Sequence, residues 1–194
     1  MVQDNTKNLK DMSLEELWQL FPIVLKEYNP DYPDWYQEEK NNLFELLKEQ
    51  GICSINHIGS TAVEGLISKP IVDILLELIT GYNMNAVVDL LENNGWLVMA
   101  RTGVEQTIDL NKGYTPDGFA EKVFHLHIRP MRDYGEPYFR DYLRSHPDVA
   151  KEYATLKLAL KEKYEHDRDA YTNAKTEFVL KYTDKAMEEA ENDL

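Results

Sequence analysis

Residues 55–78 read INHIGSTAVEGLISKPIVDILLEL. With the preceding residues, ICSINHI (52–58) is a β-like run and PIVDILLEL (70–78) is an apolar, β-branched segment of the kind covered on both faces of a sheet. Between them GSTAVEGLISK is a small-residue loop with room for one helical turn. An ionised carboxylate at Asp73 is costly in so apolar a strand unless it is paired or bound to a metal. Period-2 alternation puts Asp73, Leu75 and Glu77 on one face. Gly59, lacking a side chain, lets a ligand approach its backbone, and Ser60 adds a hydroxyl and an N–H. If Thr61 opens a helical turn, the free N–H groups there make a cradle suited to phosphate. A plain Gly-Ser turn is the alternative. Carboxylates facing a phosphate turn hold magnesium or manganese against nucleotide phosphates, whereas the bland reading pairs Asp73 with a cation such as Lys69.

Composition sets bounds on the partners. The 194 residues, 43% hydrophobic and 29% charged, suffice for one ordinary domain. Acidic residues outnumber basic ones 35 to 21, a net charge of −14 that repels nucleic acid and anionic lipid at long range. A polyanionic ligand therefore needs a local basic pocket. The one cysteine, Cys53, excludes an intrachain disulfide, suits a reducing compartment and is expected to pack as a buried thiol. The start, MVQDNTKNLKDM, has no apolar centre of a signal peptide, and no apolar run approaches the ~20 residues of a membrane span. A cytoplasmic protein without membrane contact is the expectation.

Residues 1–12 read as frayed. Ser13 and Glu16 have capping-box spacing before a short helix with an apolar stripe of Leu14, Leu17, Trp18 and Phe21, closed by Pro22. Pro30 and Pro33 bar a regular helix, so Asp34 is the expected cap of the next one, which ends on Gly51. Residues 83–95 read as a helix, and 96–101 and 105–113 as strands. In EKVFHLHIRP (121–130) alternation sets His125, His127 and Arg129 on one face. Three helices are expected beyond Tyr134, over 136–146, 147–165 and 167–191. The order indicates an α/β or α+β domain: a mixed sheet flanked by helices, with a C-terminal helical segment over about 134–190. Residues 1–25 read as an N-terminal extension with a short helix, and 26–194 as a single domain.

His125 and His127 can together ligate one transition metal or contact phosphate, or they can be half-buried structural histidines. His57 either approaches the Gly59–Ser60 turn or orients it from behind. Lys69, Arg101 and Arg129 are the nearby cations; Arg129 is the preferred phosphate clamp, and Arg101 reads as a surface residue. The C-terminal helices carry Arg140, Arg144, His146, Lys151, Arg168, Tyr171 and Lys175. These either converge on the strands as the basic pocket or lie on solvated faces over a core stripe of Tyr153, Leu156, Leu160 and Tyr164.

The Gly59-Ser60 turn followed by Asp73 resembles the nucleotidyltransferase superfamily of the DNA polymerase β type. More narrowly, YNPDYPDWYQEEK, HIGSTAVEGLISKPIVDIL, FHLHI and FRDYLRSHPDVAKEYATLKLALKEKYEHDRDAYTNAKTEFV resemble the GrpB family over residues 26–185. The resemblance implies a nucleotidyltransferase-like fold and a metal-dependent transferase. Asp73, with Glu77, would be catalytic. His57, Gly59, Ser60, Lys69 and Arg129 would hold the nucleotide or another phosphorylated small molecule. The metal would be magnesium or manganese, or a transition metal at Asp73, His125 and His127. One departure matters: the superfamily's second acid falls at Leu75, and Glu77 lies about 7 Å further along the strand. Two alternatives follow, a binding module for a nucleotide or CoA-like ligand without turnover, and a histidine-based metal hydrolase. The sequence names neither an acceptor nor an oligomeric state.

Overall fold

A computed structural model describes residues 7–192; part of the frayed start expected for 1–12 lies outside them. Strand β1 (Ile52–Ile58), the loop with a single 3-10 turn at Ser60–Ala62, and β2 (Val72–Leu78) follow the sequence reading. They are joined by β3 (Leu97–Thr102), β4 (Thr107–Thr115) and β5 (Gly118–Pro130) in one sheet of order β1-β2-β5-β4-β3. Only the β2–β5 pair is parallel; the rest are antiparallel, so the sheet is mixed.

The helices sort to its two faces. Helices α2 (Tyr32–Leu47) and α3 (Met84–Glu92) follow the short α1 (Leu14–Leu20). Leu43, Leu47, Val87 and Leu91 of α2 and α3 bury against Ile74, Leu76, Ile108, Leu110, Leu126 and Ile128 of the sheet. The opposite face lies towards α4 (Gly135–Ser145), α5 (Pro147–Tyr164), α6 (Arg168–Asn173) and α7 (Thr176–Asn192). Of these, α4, α5 and α7 share a second core built on Phe139, Tyr142, Leu143, Tyr153 and Tyr182. Most apolar residues of the inner strands thus point to α2 and α3, with Leu75 of β2 on the opposite face. The alternate positions, Asp73, Asp109, His125, His127 and Arg129, point to the C-terminal helices, and the polar residues accumulate between sheet and helices.

The capping box of α1 is present: Ser13 Oγ accepts from the Glu16 N–H at 3.2 Å and the Glu16 carboxylate accepts from the Ser13 N–H at 2.6 Å. Its stripe is not core, since no residue of α1 is buried and Leu14 is largely exposed; only Phe21 beyond it goes inside. Helix α2 starts at Tyr32 rather than after Asp34, with Asp31 as the cap residue, because Pro33 falls in the first turn, where its missing N–H has no helical partner to lose. Cys53 is exposed, contrary to the packed thiol expected. It sits at a register shift between Ile52 and Ser54 on an edge strand, where the alternation is broken. The single helix expected over 167–191 is two, α6 and α7, parted at Ala174-Lys175. In α5 the buried positions are Tyr153 and Lys157, while Leu158 is exposed. Among the described residues no helix is long and apolar enough to cross a membrane.

Candidate metal and anion site

Asp73 stands on β2 beside His125 on β5, and His127 lies one pleat on, opposite Leu75. The parallel pairing puts the three side chains on one face, with one potential ligand atom from each all within 4.8 Å of one another. Asp73 Oδ1 lies 3.1 Å from His125 Nδ1 and 4.0 Å from His127 Nε2.

The outward nitrogens of both histidines are held. His127 Nδ1 is 2.8 Å from Asp109 Oδ1, and Asp109 also accepts from Arg129 at 2.6 Å. His125 Nε2 is 2.8 Å from the Tyr114 hydroxyl, which accepts from Arg168 at 3.0 Å. Tyr114 reaches this position because β4 shifts register between Lys112 and Tyr114. Gly113 sits in that shift at φ +89°, where a Cβ would strike the Lys122 carbonyl oxygen.

Electrostatics follow from the contacts. Burial pushes the Asp73 carboxyl up, but hydrogen bonds to His125 and His127 outweigh it and leave Asp73 well below the usual carboxylate range. For Asp109, burial is likewise outweighed by bonds to His127 and Arg129, so its pKa is lowered. His127 is depressed by burial yet raised further by Asp109 and Asp73, to about 9. His125, whose burial prevails over Asp73, is lowered. With one nitrogen on a hydrogen-bond partner and the other towards Asp73, each histidine has the arrangement of a metal ligand. Asp109 orients His127; if the three side chains hold a divalent metal, Asp109→Asn is expected to weaken manganese affinity roughly tenfold, read by isothermal titration, as removing an outer partner of a ligand does.

The Gly59-Ser60 turn abuts Asp73. Gly59 adopts φ +70°, ψ −172°, and a Cβ there would collide with Asp73 Oδ2. This backbone region is close to glycine-only. Gly59→Ala is expected to destabilise the fold by about 2 kcal/mol or more, measured by denaturant unfolding, through that strain and the displaced carboxylate. A cavity of about 450 Å³ opens here, lined by Ile58, Gly59, Ser60, Asp73, His127 and Tyr153 among others.

The remaining sequence candidates fall in different places. His57 pairs with Ile74 on the other face of the sheet, stacks on Tyr36 with ring centroids 4.8 Å apart, and lies 3.0 Å from Thr61 Oγ1. Burial lowers it to about 4, so it is a neutral brace behind the turn. Glu77 accepts from Ser54 Oγ and from the Arg132 N–H, at the far end of β2 from the triad. Arg129 is committed to Asp109 and to the carbonyls of Ile108 and Ile128. Arg140 and Arg144 donate to the carbonyls of His57 and Ala62, fastening α4 to the turn. Lys69 lies 5.9 Å from the Tyr171 ring centroid, on whose ring Lys175 also sits at 4.5 Å. Among the described residues neither lysine has a carboxylate within 4.0 Å.

Sequence reasoning missed Asp109 and Lys157. The alternation in TIDLN could have placed Asp109 on the face opposite Ile108 and Leu110, but not beside His127. Lys157 carries no local signal of burial, yet its ammonium donates to Ser60 Oγ at 3.1 Å and to the Ile67 carbonyl.

Fold and site together define a mixed-sheet α/β protein with a carboxylate–histidine cluster between its sheet and its C-terminal helices. The chain belongs to the GrpB family, whose model matches residues 22–185. It is 37% identical over 161 residues to a UPF0157 protein of Pseudomonas aeruginosa, covering 82% of this chain and 65% of that protein. It is 31% identical over 168 residues to the glutamate-rich protein GrpB of Alkalihalophilus pseudofirmus, covering 81% of this chain and 91% of the relative. Against YqkA of Bacillus subtilis it is 31% identical but spans only 43% of that protein's length, so with the Pseudomonas protein two of these relatives are matched over less than two thirds. The crystal structure of GrpB from Enterococcus faecalis superposes with a TM-score of 0.72 at 29% identity, covering 86% of this chain and 99% of the other.

Proposed function

We propose that the chain is a metal-dependent, nucleotidyltransferase-like protein acting on a nucleotide at Asp73. The observation that carries this reading is the meeting of one carboxylate and two imidazoles, within 4.8 Å, beside the Gly59-Ser60 turn. Asp73, His125 and His127 would hold the metal. Two imidazoles and one carboxylate suit manganese or another first-row transition metal better than magnesium. A metal bound there supplies charge neutralisation for transferring phosphates. The protein's own contribution is position. Asp109 fixes the His127 ring, Tyr114 the His125 ring, and Gly59 allows the turn to sit against the carboxylate. Arg140 and Arg144 hold that turn from the helical side.

A second reading, a nucleotide-binding module without turnover, is favoured by Leu75. This side chain is wholly buried where the superfamily has its second acid, and Glu77 is held away by Ser54. The test incubates radiolabelled nucleoside triphosphates, manganese and a pool of small acceptors with the protein. Transfer of label that Asp73→Ala abolishes supports the enzyme. Manganese-dependent nucleotide binding with no transferred label supports the module and rejects the enzyme.

A further inference from the structure

Four cations from separate parts of the chain gather beside Asp73. Lys157 of α5 is 2% exposed and reaches Ser60 Oγ, while lying 4.6 Å from the Tyr153 ring centroid. Lys69 precedes β2, and Lys175 follows α6; both contact the Tyr171 ring. Arg168 opens α6 and bonds Tyr114, the partner of His125. Among the described residues no carboxylate lies within 4.0 Å of any of these four. The buried Tyr171 hydroxyl likewise has no hydrogen-bond partner among them.

The cations act on one another. Burial first, then Lys175 and Arg168, bring Lys69 down to about 7. Burial, then Lys175 and Lys69, bring Lys157 to about 7. Burial also lowers Lys175, to about 8, with Asp73 opposing and Arg168 adding to the fall. Arg168 thus influences Lys69 and Lys175, whereas Lys157 responds to those two lysines. The contacts place Lys157 on Ser60, beside the Gly59 that abuts Asp73, and Arg168 on Tyr114, whose partner His125 touches Asp73, so cations are held on both sides of that carboxylate. Asp73 partly offsets the charge of Lys69 and Lys175, but four part-buried cations with no carboxylate in direct contact are costly unless a further anion completes them. Cations so spread suit an extended anion.

We propose that Lys157, Lys69, Lys175 and Arg168 grip the phosphate chain of a triphosphate, without needing a metal. The placement rests on reading Asp73 and the Gly59-Ser60 turn as the nucleotide site. The ligand chemistry is that of a linear triphosphate, whether inorganic or carried on a nucleoside. Lysines act on it as point charges, and Arg168, which already donates to the Phe21 carbonyl and to Tyr114, adds its fixed positive charge.

Isothermal titration of the full chain in EDTA tests this with sodium orthophosphate, sodium tripolyphosphate and ATP. Tripolyphosphate is expected to bind at least about tenfold more tightly than orthophosphate, and Lys157→Met and Lys175→Met each to weaken it about tenfold, as loss of a charge-assisted contact does. Circular dichroism establishes that both variants are folded, and methionine in place of the buried Lys157 removes a cost to folding. Absence of tripolyphosphate binding by the wild type, or unchanged binding by both variants, overturns the proposal. ATP binding tighter than tripolyphosphate assigns the site to nucleosides; equal binding assigns it to the bare phosphate chain, and both support the grip. Asp73→Asn separates this proposal from the metal reading. It is expected to lose manganese but to bind tripolyphosphate at least as tightly as the wild type in EDTA, since a carboxylate that repels the anion is gone; a wild type that binds tripolyphosphate but no manganese would reject the metal centre alone.

Discussion

Replacing Asp73 by asparagine is expected to weaken manganese binding by more than about 100-fold, beyond the loss caused by removing an outer partner of a ligand. Asp73 is the only carboxylate among the three clustered donors. Its oxygen is the one that both histidines approach, at 3.1 and 4.0 Å. An amide keeps the volume and the contact with Gly59 but loses the charge, and a hard divalent ion depends on that charge. The fold is expected to remain, because asparagine still accepts from His125. Isothermal titration or manganese electron paramagnetic resonance reads the affinity. Manganese bound as tightly by the variant as by the wild type would place the metal elsewhere or nowhere.

Lys157→Met is expected to stabilise the protein by about 3 kcal/mol at pH 7. A lysine ordinarily titrates at 10.5, and burial with two cationic neighbours brings Lys157 to about 7. Between those values the unfolded chain holds a proton that the folded chain has released. Stability therefore rises with pH from about 7 towards 10, and the cost of the buried ammonium is full at pH 7 and below. At about 1.4 kcal/mol per tenfold, that cost has a ceiling of roughly 5 kcal/mol. Methionine removes it but leaves the Ile67 carbonyl and Ser60 without their donor, worth about 1–3 kcal/mol. A net gain of about 3 kcal/mol corresponds to roughly 6–12 °C in Tm for a chain of this size.

The gain has a pH signature. It should shrink as the pH rises from 7, cross zero near pH 9 and reverse by pH 10, where the wild-type lysine is neutral in the fold and only its lost hydrogen bonds count. The groups facing Lys157 are Lys69, Lys175, Tyr153 and Ser60, and relief of the two lysines adds to the gain in the same window. Thermal unfolding of both proteins at pH 7 and pH 10 gives the comparison. A variant less stable than the wild type at pH 7, or a difference independent of pH, would show that the buried ammonium carries no such penalty. A gain at pH 7 that is lost at high pH would give the buried ammonium a stability cost, which is what the proposed anion grip requires of it.

Local signals carried much of the architecture. The β-branched run at 70–78, the alternation of EKVFHLHIRP and the capping box at Ser13 each specify an element by periodicity or by a hydrogen bond within four residues. The same alternation determined that Asp73 and Glu77 share one face of their strand and that His125, His127 and Arg129 share one face of theirs. The sequence therefore determined by itself the strands, the tight turn and the candidates' faces. Only the tertiary structure decided which faces meet. The order β1-β2-β5-β4-β3 sets Asp73 against His125 and Asp109 against His127, and nothing local encodes which strands become neighbours. It also turned His57 to the far face and tied Arg129 to Asp109. Lys157 shows the limit most clearly. A lysine among leucines on a helix reads as solvated, because its burial arises from α5 lying against the turn at Ser60, nearly a hundred residues earlier in the chain.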